Sequence, residues 1–184
     1  STGDGGALYA KNGGDIIATN CLIVDNNNYA VRVGSFYDGG GGNDVELINC
    51  TVANNLPPAL KGADSYWGTV SVTNSIIYNN LNYNDDNYSY NNDNGTLTIN
   101  NTLIQGGYEG TGNIDTDPLF VDAANGDFHL TSSSPSLGTG TSSGAPNVDI
   151  DNNTRPYPSG TNPDMGAYEY GAVSINDDPE EIPQ

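Results

Sequence analysis

Three short phrases set their last residues in one row: Ala7-Leu8-Tyr9, Ala30-Val31-Arg32 and Ala59-Leu60-Lys61. If the aliphatic residue of each points inward, Tyr9, Arg32 and Lys61 stand outward together. Lys11 is close by, so three of the four basic residues share one face. A lysine beside an arginine can abstract a proton next to a carboxylate that the arginine neutralises. In that chemistry Lys61 is the base, Arg32 the carboxylate clamp or acid, and Tyr9 or His129 a helper. The competing reading is a row of surface ion pairs, because lowering a lysine pKa needs a desolvated or positive setting that so acidic a chain does not supply.

Two other residue classes carry chemistry. Phe36-Tyr37 and Tyr66-Trp67 fall in corresponding places, and Tyr83, Tyr88 and Tyr90 lie in the Asn-rich stretch 80–95. Aromatic rings with polar tips suit sugar faces, so Phe36, Tyr37, Tyr66 and above all Trp67 are glycan-binding candidates. The 23 acidic residues against four basic ones give a net charge of −19, which makes nucleic acid and anionic membranes poor partners. Divalent cations would relieve the self-repulsion. Oxygen-only calcium sites are expected at Asp115 with Asp117 and Asp122, and at Asp149 with Asp151; Asp25 with Asn26 and Asn27, and the Asp85-Asp86-Asn87 stretch, are further candidates. None has EF-hand spacing, and carboxylate-rich loops are often merely solvated.

The elements that must position these residues come from a repeat. TNCLIVDNN (from Thr19), INCTVANN (from Ile48), TNSIIYNN (from Thr73) and NNTLIQGG (from Asn100) align on Asn20, Asn49, Asn74 and Asn101, at spacings of 29, 25 and 27 residues. A period of that length marks a solenoid, and short β-branched runs bounded by Asn or Gly make it an all-β one. One residue past each Asn stand Cys21, Cys50, Ser75 and Thr102; three past stand Ile23, Val52, Ile77 and Ile104. Alternation puts both columns on one inward face. Each Asn then occupies a bend and is expected to offer its amide to the Asn of the next coil, about 4.8 Å away, as a ladder. A right-handed single-stranded parallel β-helix follows. Cys21 and Cys50 become stacked neighbours with poor geometry for a disulfide, which favours two buried thiols.

The periodicity stops near Asp115. Residues 1–114 are expected to form about four coils, 115–170 a last coil with an irregular C-terminal cap, and 171–184 an acidic tail or linker. The phrases Asp117-Pro118-Leu119-Phe120, Gly126-Asp127-Phe128-His129-Leu130, Ser134-Pro135 and Asp164-Met165-Gly166-Ala167-Tyr168-Glu169 closely resemble the C-terminal end of secreted bacterial right-handed β-helix proteins. That group is related to polymorphic outer-membrane proteins and to some polysaccharide lyases. With the repeats, the resemblance covers nearly the whole chain, and it speaks for fold far more than for activity. One departure is Gly138, where the family usually places an Asp, so an ion pair or metal contact supplied there in relatives is in doubt. Arg155, among Asp149, Asp151 and Asp164, reads as the structural cation of the cap. The tail resembles the linker before the sorting domain of proteins exported by the type IX system of Bacteroidetes-like bacteria, which implies a secreted or cell-surface bacterial protein.

Three function classes follow. The resemblance to β-helix lyases gives uronate-polymer cleavage on the Arg32 and Lys61 face, although the expected lyase motifs around those residues are missing. The aromatic loops give binding of an extracellular polysaccharide. The strand edge at the first coil must be covered by upstream coils outside the chain, by the acidic tail or by another subunit, and the last of these gives end-to-end self-association into fibres. The expected function is a non-catalytic extracellular module for cell-surface adhesion or assembly. No apolar stretch is long enough to span a bilayer, so no membrane insertion is expected, and any export signal was removed or lies outside the chain.

Overall fold

The computed structural model describes residues 7–11, 13–34, 43–56, 59–61, 68–80 and 96–172. They are all-β apart from one 3-10 turn, because the apolar residues come in runs too short for a helix and alternate as strands do. Successive repeats lay strands of the same rank side by side, in parallel. The first sheet runs β1 (Leu8–Ala10), β4 (Val31–Val33) and β7 (Leu60–Lys61). The second holds β2 (Ile16–Thr19), β5 (Asn43–Ile48), β8 (Gly68–Thr73) and β10 (Thr96–Asn100). The third holds β3 (Leu22–Val24), β6 (Thr51–Ala53), β9 (Ile76–Tyr78) and β11 (Leu103–Ile104). Equivalent repeat residues are register partners, as in Ile23 with Val52 and Val52 with Ile77.

The asparagines make the bend between the second and third sheets. Asn20, Asn49, Asn74 and Asn101 have φ of 53, 50, 52 and 46°, in the left-handed region that Asn tolerates better than other residues with a Cβ. A second bend follows the third sheet, with Asp25, Asn54 and Asn79 at 56, 57 and 52°. Between the bends Ile23, Val52, Ile77 and Ile104 are buried in one core. Cys50, Ser75 and Thr102 are buried beside them, and their column has a hydrogen-bond logic. The Ser75 hydroxyl accepts the Cys50 N–H at 3.0 Å and donates to the Thr73 carbonyl at 2.9 Å. Thr102 repeats this one strand on, accepting from Ser75 N–H and donating to the Asn100 carbonyl.

The expected ladder forms at only one rung of its column, where Asn74 Nδ2 donates to Asn49 Oδ1 at 3.3 Å. Those side chains mostly turn away from the stack to hold the C-terminal segment: Asn20 donates to the Val148 carbonyl, Asn49 to that of Asp164 and Asn74 to that of Thr141. A fuller ladder lies at the second bend. Asn26 Nδ2 donates to Asn55 Oδ1 at 2.8 Å, and Asn55 Nδ2 donates to Asn80 Oδ1 at 2.9 Å. Buried amides stacked one strand apart satisfy each other and the bend carbonyls at once.

Beyond the repeats, β12 (Phe120–Asp122) and β13 (Asp127–Leu130) form an antiparallel pair around a 3-10 turn at Ala123–Asn125. The segment that follows lies along the outward face of the third sheet. Leu130 and Met165 pack on Ile76 and Leu103, with Phe120 and Leu137 at the margin, making a second core. Gly166 (φ 97°) approaches so closely that a Cβ would come within 2.8 Å of Ile76 Cδ1 and 3.0 Å of Thr51 Oγ1. The same Thr51 hydroxyl accepts the Ala167 N–H at 3.0 Å.

Candidate functional site

The row of Tyr9, Arg32 and Lys61 exists as a register: Tyr9 pairs with Arg32, and Arg32 with Lys61. Its inner neighbours Val31 and Leu60 are fully buried, as alternation requires. Arg32, however, does not stand outward to meet a ligand. It is 4% exposed, with its guanidinium 5.0 Å from the ring centroid of Tyr9 and 5.5 Å from that of Tyr29. This differs from the outward placement expected for the row. A flat, weakly hydrated guanidinium gains from lying near aromatic faces, and Tyr29, one residue before the Ala-Val-Arg phrase, gave no sign of that in the sequence. Lys11 Nζ lies 5.4 Å from the Tyr9 ring centroid, so Tyr9 is engaged by two cations. The Lys61 side chain lies outside the described residues, as do Phe36, Tyr37, Tyr66, Trp67, Tyr83, Tyr88, Tyr90, the Asp85-Asp86-Asn87 stretch and residues 173–184.

Cys21 and Cys50 are both free thiols, Cys21 half-buried and Cys50 buried. Burial pushes the Cys50 thiol up to about 12, so it is unreactive at neutral pH. Its Sγ donates to the Ala18 carbonyl at 3.3 Å.

Arg155 is buried, with a partner other than the three aspartates expected for it. Its Nε donates to Glu169 Oε2 at 2.8 Å, Nη1 to Asn20 Oδ1 at 2.8 Å and Nη2 to the Gly166 carbonyl at 3.1 Å. Glu169 in turn accepts the backbone N–H of Tyr157 and of Asp164. Asp164 accepts from Gly138 N–H and Tyr170 N–H, each at 2.7 Å, so the glycine that departs from the resembled pattern supplies a backbone donor. Burial pushes the Asp164 carboxyl up to about 6, against those two donors. The network ties the first repeat, through Asn20, to the end of the C-terminal segment.

The five aspartates expected to bind calcium each hydrogen-bond within the chain. Both oxygens of Asp149 accept two bonds each, from Asp151 N–H and Asn153 N–H, and from Asn153 Nδ2 and Glu169 N–H. Asp115 accepts Gly106 N–H, Asp117 accepts Leu119 N–H and Asp122 accepts Asn125 Nδ2. Among the described residues no three His, Cys, Asp or Glu side chains gather to hold a metal ion. Asp151 instead meets His129, whose Nε2 lies 3.0 Å from its Oδ2, while His129 Nδ1 lies 2.7 Å from Asp127 Oδ1. The imidazole also rests against Tyr168, with ring centroids 4.0 Å apart. Burial works to lower the His129 pKa, but the two carboxylates outweigh it and the net shift is upward. With both nitrogens engaged by carboxylates, His129 links β13 to the Asp149 turn.

Two cavities accompany these networks. One, of about 370 Å³, lies within the C-terminal segment between Leu137, Tyr157, Asp164 and Tyr170. The other, of about 270 Å³, lies where the second bend meets the turn into β12, between Asn54, Tyr78, Asn79, Asp117, Leu119 and Phe120. Its clue in the sequence was the second Asn of each repeat, at Asn54 and Asn79, which the alignment on Asn49 and Asn74 passed over. No helix of the described residues is long and apolar enough to cross a membrane. Comparison with family models, curated proteins and solved structures returned no match.

Proposed function

We propose that the chain is a right-handed parallel β-helix and acts as a non-catalytic, extracellular module for adhesion or assembly. The observation that carries this reading is the in-register stacking of parallel strands in three sheets, which a further layer can extend. Among the described residues, β1, β2 and β3 each pair on one side only, and Ile17 on β2 is 70% exposed. A parallel edge of this kind accepts a further layer of strands. The resemblance of residues 117–130 and 164–169 to the ends of secreted β-helix proteins supports the extracellular setting. Calcium enters as a diffuse partner of the surface carboxylates, lowering their mutual repulsion.

The burial of Arg32 weighs against the lyase alternative. Incubation with pectate, alginate and glycosaminoglycan polymers is expected to give no unsaturated uronate product. Eliminative cleavage that Lys61→Ala abolishes would overturn the non-catalytic reading.

A further inference from the structure

The 270 Å³ cavity at the second bend is lined by the polar Asn54, Asn79 and Asp117, by the apolar Leu119, Phe120 and Ala123, and by Tyr78. The volume is near the lower end of small-molecule sites, about 300 Å³. Phe120 is fixed by an edge-on contact with Phe128, centroids 5.2 Å apart.

Leu119 is the unusual feature. It has φ of 54°, a conformation costly for a bulky residue, and its side chain is 40% exposed at the cavity. Asp117 Oδ1 holds its N–H at 2.8 Å, and Thr131 N–H donates to its carbonyl at 3.1 Å. Backbone strain at a residue that lines a cavity points to use.

The polar groups both give and accept hydrogen bonds, as hydroxyl groups require. Asn79 donates one amide hydrogen to Asn54 Oδ1 at 2.8 Å, and its side chain is otherwise exposed. Burial first, then the Asp117 and Asp115 carboxylates, raise the Tyr78 phenol above its ordinary value, so it stays a protonated donor. Those same carboxylates, in a chain of net charge −19, repel anions.

We propose that this cavity binds one neutral sugar unit of an extracellular glycan, with Asn79 and Asp117 on its hydroxyls and Leu119 and Phe120 against its apolar face. The proposal rests on the extracellular reading for its setting, while its test does not.

The test is saturation-transfer NMR and calorimetry of the full chain with neutral oligomers of glucose, mannose, galactose and N-acetylglucosamine, and with oligogalacturonate as the charged control. Binding of at least one neutral oligomer and none of oligogalacturonate is expected. Leu119→Gly relieves the positive φ, so its unfolding midpoint should match or exceed that of the parent, yet its affinity should fall about tenfold or more. Asn79→Ala should lose affinity similarly. No binding of any neutral oligomer, equal binding of oligogalacturonate, or binding that Trp67→Ala abolishes and Leu119→Gly leaves intact would overturn the site. Those failures would leave the assembly reading untouched, since that is decided by particle size.

Discussion

Arg155 shows how a side chain decides the fit of one segment on another. Its guanidinium and Glu169 are both completely buried in the side chain, and removing one partner leaves a charge with no solvent. Arg155→Met is therefore expected to cost about 3–5 kcal/mol, read from the denaturant midpoint; a loss under about 1 kcal/mol, the scale of a surface pair, would contradict the assignment. Two other groups set the pH response. Asp164, raised to about 6, contributes stability that is complete below its ordinary 3.8 and is lost as pH rises through about 6. His129, also raised, contributes fully below 6.5 and loses that contribution as pH rises through its folded value. The unfolding midpoint is thus expected to be higher at pH 5 than at pH 8, and His129→Gln should remove the part lost above pH 6.5. A midpoint that rises toward pH 8 would contradict both. The sequence showed that Arg155 was structural but not with which carboxylate, since Glu169 is 14 residues away and three aspartates competed for the role. Arg32 was harder to read for a related reason: alternation predicts direction, but not that a ring such as Tyr29 will lie beside the guanidinium.

At the scale of the element, the strands were legible because three conditions coincide at each repeat: β-branched pairs, an Asn tolerant of positive φ, and a fixed spacing. The inward columns from Ile23 to Ile104 and from Cys50 to Thr102 are buried as alternation demanded. The ladder was harder to read, because two asparagine columns were present and sequence offers no way to tell which one faces a neighbouring segment. Asn49 and Asn74 serve the C-terminal segment, whereas Asn55 serves the stack. Asn55 is fully buried; Nδ2 shares its two hydrogens among the Ile23 and Ala53 carbonyls and Asn80 Oδ1, and Oδ1 accepts from Asn26. Asn55→Ala orphans several buried groups, each worth about 1–3 kcal/mol, and a loss of at least about 3 kcal/mol is expected in chemical denaturation. Asn27→Ala, on the exposed side of the same turn, should change stability by less than about 0.5 kcal/mol. Equal effects would place the ladder elsewhere.

For the whole molecule, the C-terminal segment seals the outward face of the third sheet, through Ile76, Leu103 and Met165. The first-repeat edge carries no such cover among the described residues. The opposite edge is partly continued, since Ile114 bridges in parallel to Leu103. This asymmetry gives the stack a direction, and a layer added at β1, β2 and β3 would extend all three sheets at once. The large negative charge opposes that addition, and divalent cations or salt reduce the opposition. The measurement that tests this account most directly is the size and shape of the purified chain, by light scattering and electron microscopy over a range of concentrations, with calcium and then with chelator. The account predicts particles that lengthen end to end with concentration and lengthen further with calcium. A compact monomer of constant size under every condition would contradict it.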